Sequence, residues 1–310
     1  MTFRRRSLFS IVCFIVLVGC GCLKAEAHCK GHFLALPHQS WLGGGEPSDK
    51  SLVNFEPELF HAAPFHLHSF LSFSADGREM FWSVVPPRIL FSQLLDNGWS
   101  EPEPVPFSRG NGQSPFLTKD GKRLYFQMTD PDGFGGLDIW YVEKTESGWS
   151  EPQNVGCPPN SAQLEGQTSL TVSGTIYFTA SMSGVAWERG IYSCRLLDGA
   201  YLPPSALPES INSTYIDAYP YISPDERFLL FSSSRPTMDE SRLSLFVSFY
   251  AKGQWSNPVN VSKHLGLDAP ARYGSISPDG RYLFFLYKES YYCVSARVLD
   301  VLDPNSRGKP

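Results

Sequence analysis

What this 310-residue chain lacks narrows its chemistry before any fold is considered. It has no Gly-x-Ser-x-Gly nucleophile elbow, no P-loop and no Gly-x-Gly-x-x-Gly dinucleotide motif. The usual sequence marks of a serine hydrolase, a nucleotide hydrolase and a dinucleotide enzyme are therefore missing, and no cofactor is expected. It also lacks a basic excess: 26 Lys and Arg against 31 Asp and Glu leave a net charge of -5. A nucleic-acid partner calls for the opposite balance. The apolar run Leu8 to Val18 covers 11 residues, short of the roughly 20 that a membrane-spanning helix needs. Seven cysteines are present without the regular spacing of a disulfide framework.

What the chain does contain is core material and turns. Apolar residues make up 42% and aromatics 14%, which excludes global disorder. Gly (26) and Pro (25) punctuate the apolar runs, as many short strands joined by turns require. At the start, Arg4, Arg5 and Arg6 precede the 11-residue run, the pattern of a secretory signal. The run ends in Leu17-Val18-Gly19-Cys20, which resembles the lipobox of bacterial lipoproteins. That resemblance implies a signal over 1–19 and lipid on the sulfur of Cys20. Ordinary cleavage after Ala25-Glu26-Ala27 is the alternative, and either reading makes the protein an exported one. Residues 20–50 read as a tether, in which Cys22 and Cys29 could pair. Cys194 and Cys293, in different repeats, read as small apolar filler.

Five tetrads organise the remainder: Ser74-Ala75-Asp76-Gly77, Thr118-Lys119-Asp120-Gly121, Thr171-Val172-Ser173-Gly174, Ser223-Pro224-Asp225-Glu226 and Ser277-Pro278-Asp279-Gly280. Equivalent positions lie 44, 53, 52 and 54 residues apart, a period that announces a repeat architecture. Each tetrad reads as a tight turn, in which the Asp of four of them caps the bend and the Gly of four supplies a positive φ. An aromatic-rich strand follows, as in Met80-Phe81-Trp82 and Leu283-Phe284-Phe285, and then a third strand. A fourth carries Trp99-Ser100-Glu101-Pro102, Trp149-Ser150-Glu151-Pro152 or Trp255-Ser256-Asn257-Pro258. Its Pro suits an outer edge strand, where a missing donor is tolerated.

Four antiparallel strands per repeat make a propeller blade. The spacing thus predicts an all-β, five-bladed β-propeller over 51–303, with a tail at 304–310. The fifth repeat stops after its third strand, so Leu52-Val53-Asn54-Phe55 is expected to supply the missing outer strand and close the ring. A sixth blade would need more strand within residues 28 to 63.

The Ser-Pro-Asp-Gly turn, the strand after it and Gly135-Gly136-Leu137-Asp138-Ile139-Trp140 resemble the TolB-type Pro-Asp propeller repeats of envelope proteins. The resemblance covers roughly 65–295. It implies a fold shared by scaffolding modules, peptidase propeller domains and a few carbohydrate-active enzymes, and so leaves function open.

Candidate site residues come from the first strand of each blade, which lines the channel. Counting back six or five places from each tetrad selects His68, Gln113, Glu165, Asp217 and Arg272, with His66 two places before His68. A mouth so polar and so different from blade to blade is the expected ligand site. A solvated entrance with no specific ligand is the plain alternative. His66 and His68, with His61 nearby, offer imidazoles but no fixed third metal ligand. Asp130, Asp132 and Asp138 have the alternate spacing of a calcium loop but lack the rest of that motif, so a turn is the better reading. The expected role is a lipid-anchored binding or scaffolding module in the periplasm or at the outer membrane, its partner an envelope protein or a glycan. The alternative is a carbohydrate-active hydrolase or lyase whose two carboxylates would be Glu165 and Asp217.

Overall fold

The computed structural model describes residues 51–60, 66–181, 189–236 and 243–306. The signal, Cys20, the tether, His61 and residues 307–310 lie outside them. Within the described residues the chain forms five antiparallel sheets in sequence order, the blades of a propeller, and one two-stranded ribbon, Leu196–Leu197 with Ala200–Tyr201. The inner, second and third strands of blade 2 are Gln113–Leu117, Arg123–Met128 and Asp138–Thr145. Those of blade 4 are Asp217–Ile222, Phe228–Ser233 and Ser244–Ala251. In blade 1 the inner strand is broken into His66–Leu67 and Ser72–Phe73, ahead of Glu79–Val85 and Arg88–Leu95.

The tetrads build the turns between first and second strands through local hydrogen bonds. Ser74 Oγ donates to Asp76 Oδ1 at 2.5 Å and accepts from the Arg78 and Glu79 N–H groups. Ser277 and Asp279 repeat the arrangement. Gly77, Gly121 and Gly280 take φ values of 67°, 69° and 77°, where a Cβ is disfavoured. Glu226 occupies the same position at φ 61° and receives a 2.5 Å bond from the Tyr177 hydroxyl of the preceding blade.

The fourth strand differs from a single continuous one. In blade 1 it is split into Gly98–Trp99 and Glu103–Pro104, both paired with the third strand. The Trp-Ser-x-Pro sequence explains the break. Ser100 Oγ accepts the Gln93 N–H at 3.0 Å, replacing a backbone carbonyl, and Pro102 has no N–H to offer. Ser150 with Glu143 and Ser256 with Phe249 repeat the substitution. Each Trp packs toward the preceding blade: Trp149 on Phe81 at 6.1 Å and Trp255 on Tyr177 at 6.5 Å between ring centroids.

Ring closure occurs as the sequence predicts. Val53–Asn54 pairs with Ser290–Ser295, Val53 opposite Cys293 and Asn54 opposite Tyr292. Phe55 then buries completely against Phe284, ring centroids 5.1 Å apart. The Tyr291 hydroxyl donates to Ser69 O at 2.6 Å, joining blade 5 to blade 1. A short helix, Arg297–Leu302, follows blade 5 and buries Val298 and Leu299. The strand pattern gave no sign of it.

Candidate functional site

Four inner strands carry a β-bulge at one common place: the register shifts between Gln113 and Phe116, Glu165 and Thr168, Ala218 and Tyr221, and Arg272 and Ser275. Three of them put a non-glycine residue there at positive φ: Ser114 (53°), Tyr219 (59°) and Tyr273 (57°). That conformation costs roughly 1–2 kcal/mol for an L-residue. A hydroxyl of the preceding blade offsets part of it. The Ser114 N–H donates to Ser83 Oγ at 3.0 Å, Tyr219 N–H to Thr179 Oγ1 at 2.9 Å and Tyr273 N–H to Ser232 Oγ at 3.2 Å. The bulge thus locks neighbouring blades together and sets the direction of the side chain it bears.

Those side chains build the mouth of the channel. Tyr219 and Tyr273 meet edge to face at 4.7 Å, and His68 from blade 1 lies edge-on to both at 6.1 and 5.8 Å. The Arg272 guanidinium sits over the Tyr273 ring at 5.5 Å and pairs with exposed Glu289 at 3.0 Å. Burial, then the guanidinium charges of Arg272 and Arg189, hold His68 below its ordinary 6.5. Its imidazole is therefore neutral at pH 7, and its buried Nδ1 has no hydrogen-bond partner. Beneath this mouth, Phe70 of blade 1 touches Phe116 of blade 2 at 6.2 Å and Tyr221 of blade 4 at 5.7 Å. Blades 1 and 4 are not neighbours in a ring of five, so these rings meet across the axis and close the channel.

The residues selected from the sequence separate into two groups. His68 and Arg272 come together at the mouth, where Gln113 is half-buried at its strand start, and His66 is exposed. Glu165 and Asp217 were expected to face the channel, but both are fully buried and turned back into their own loops. Glu165 accepts from Ser161 Oγ at 2.5 Å and Ser161 N–H at 3.2 Å. Asp217 accepts from Ser213 N–H at 2.7 Å and Ser213 Oγ at 2.6 Å, and pairs with Arg235 at 3.3 Å. The cause is local: a Ser four places before each carboxylate captures it, and the preceding Asn160 or Asn212 bridges the loop to Ile139 or Ile191 of the blade before. Burial, with Asp138 nearby, pushes the Glu165 carboxyl up from 4.5 to about 7.

The Asp130 to Asp138 segment is a closed turn. Asp130 pairs with Arg109 at 2.5 Å and caps the Asp132 N–H. Asp138 Oδ2 accepts from the Phe134 N–H and from Asn154, and Asp132 is exposed. Among the described residues no three His, Cys, Asp or Glu side chains gather as a metal set. Sequence counting missed Tyr219, Tyr273 and Arg189. Tyr219 and Tyr273 stand where the register shifts, and strict period-two counting does not carry across a bulge.

No family model matches the chain, and no curated protein matches it in sequence. Among solved structures it is similar to TolB from Acinetobacter baumannii, at 14% identity over 74% of this chain with a TM-score of 0.47. It spans 54% of the length of that TolB. It is also similar to a gluconolactonase from Xanthomonas campestris, at 11% identity over 83% of this chain and 96% of the other, TM-score 0.49. An α-L-arabinofuranosidase from Lactobacillus brevis is 13% identical over 76% of this chain and 92% of its own length, TM-score 0.47. The propeller assignment rests on the strand pairings described above.

Proposed function

We propose that this protein is an exported, lipid-anchored binding module of the cell envelope. It holds a protein or glycan ligand at the mouth of its channel and performs no chemistry on it. The observation that carries this reading is the plugged channel. Among the described residues, Phe70, Phe116 and Tyr221 meet across the axis, so the aromatic and cationic mouth is backed by packed rings. A glycosidase needs two carboxylates flanking the scissile bond. The best pair in the sequence, Glu165 and Asp217, is buried and held by Ser161 and Ser213. The raised Glu165 would suit a general acid in a hydrolase or lyase, yet a group withdrawn from the mouth cannot reach a substrate oxygen there.

Affinity capture from envelope extracts, using the full chain and an Arg272→Ala, Tyr273→Ala variant, tests the reading. The expected result is a ligand retained by the parent and lost by the variant, without turnover. Retention by both proteins, or turnover of a captured glycan, would overturn it. Incorporation of labelled fatty acid that disappears in Cys20→Ser is the expected mark of the anchor.

A further inference from the structure

Resting on the reading that the mouth is the ligand site, we propose that its ligand is a sugar acid. This is a hydroxylated ring bearing one carboxylate, held with its charge toward Arg272 and Arg189 and its body against His68, Tyr219 and Tyr273.

Charge is the first argument. Arg272 sits over the Tyr273 ring at 5.5 Å and the Arg189 carbonyl accepts the Asp217 N–H at 3.3 Å, while the two carboxylates at the corresponding strand starts of blades 3 and 4 are buried, Glu165 against Ser161 and Asp217 against Ser213. Arg235, from the same end of blade 4, is neutralised by Asp217. The opposing charge on Arg272 is Glu289, whose side chain is 59% exposed. An exposed pair of this kind contributes little. A ligand carboxylate displaces it at small cost and gains the planar fork of an arginine, which matches carboxylate geometry.

The second argument is a set of buried polar atoms that ask for hydroxyl partners. Gln167, at 2% exposure, has neither Oε1 nor Nε2 hydrogen-bonded, and the buried Gln127 Nε2 is likewise without a partner. Gln167 occupies the position on blade 3 that Tyr219 and Tyr273 occupy on blades 4 and 5, four places before the tetrad. Gln127 stands on blade 2 where Ser83 and Ser232 stand on theirs. At three other seams a hydroxyl of that second strand takes the bulge N–H. At this seam two amides replace that latch. Both amides lie beneath the surface of the mouth, so a sugar hydroxyl meets their unpaired donor and acceptor through a bridging water. His68 Nδ1 adds a fourth unpaired atom.

Size is the third. The rings of Phe70 and Tyr221 meet under the mouth, whereas a threaded chain would need the axis open.

Titration calorimetry on the full chain, with glucuronate and galacturonate as probes, tests the proposal. Glucose, galactose, acetate and a trialanine peptide with a free carboxylate serve as comparisons. The uronates are expected to bind at least about tenfold more tightly than the neutral sugars or acetate. Arg272→Gln and Arg189→Gln should each weaken uronate about tenfold or more. Gln167→Leu should weaken uronate and leave acetate unchanged. Raised salt should weaken uronate binding in the parent, which tests the charge argument should an arginine variant fail to fold. Uronate binding no tighter than neutral sugar or acetate overturns the proposal. If trialanine binds in an Arg272-dependent way and uronates do not, the sugar acid is excluded while the mouth remains the ligand site. If neither binds, and the ligand captured from envelope extracts is also insensitive to Arg272 and Tyr273, the mouth reading falls as well.

Discussion

Phe70 and Tyr221 come from blades that are not adjacent, yet their rings meet edge to face with centroids 5.7 Å apart. The contact makes the centre of the ring a piece of hydrophobic core. Phe70 is fully buried, so Phe70→Ala leaves a cavity at the place where several blades converge. The expected loss is about 3–5 kcal/mol, read as a lower midpoint in urea unfolding. Phe70→Leu should lose distinctly less, since it restores most of the volume.

Ring closure gives a second prediction. Phe55 is buried between Phe284 and Trp99 and follows directly on the closing strand. Phe55→Ala should cost about 3–5 kcal/mol. Hydrogen exchange should then rise first along Ser290–Ser295, the strand that pairs with Val53–Asn54, because its outer edge is the one exposed.

Glu165 sets a pH dependence. Its carboxyl is raised from 4.5 to about 7, by burial first. The folded chain therefore keeps a proton that the unfolded chain releases over that interval. Stability is greatest below about pH 4.5 with respect to this group, and falls as pH climbs toward 7. The shift corresponds to roughly 3 kcal/mol. Glu165→Gln should flatten this slope in urea unfolding measured between pH 4.5 and 8. Asp120 acts in the opposite sense. The Thr118 hydroxyl, as the largest cause, lowers its carboxyl, so its contribution is lost as pH falls through the acid range.

Thiol chemistry separates three cysteines. Burial pushes Cys194 and Cys293 up to about 12, which leaves almost no thiolate at neutral pH. Cys157 is exposed. Maleimide labelling of the native protein, mapped by peptide mass spectrometry, should modify Cys157 and spare the other two until denaturant is added.

The sequence made the blades legible because their information is local. A Ser or Thr, an Asp and a Gly within four residues specify the turn, and the hydrogen bonds of Ser74 with Asp76 and of Ser277 with Asp279 realise it. The closing strand was legible because the fifth repeat lacked an outer one. The mouth was only half legible. Counting back from the tetrads found His68 and Arg272, but a residue number does not say where a side chain points. Glu165 and Asp217 were captured by Ser161 and Ser213, four places earlier in the chain. Tyr219 and Tyr273 were delivered to the mouth by a bulge whose register shift appears only when two strands are paired.

The pairing of Val53 with Cys293 also orders events in time. A chain made from its first residue onward emerges with its closing strand early and must wait for almost all the rest before that strand finds its partner. Until Ser290–Ser295 is complete, blade 5 has an open edge and Phe55 has no Phe284 to cover it. This contact spans nearly the whole sequence, and its loop-closure entropy makes it a late and slow step. A chain cut short before the fifth repeat would keep four blades and one strand without a partner, which is a template for association with another copy.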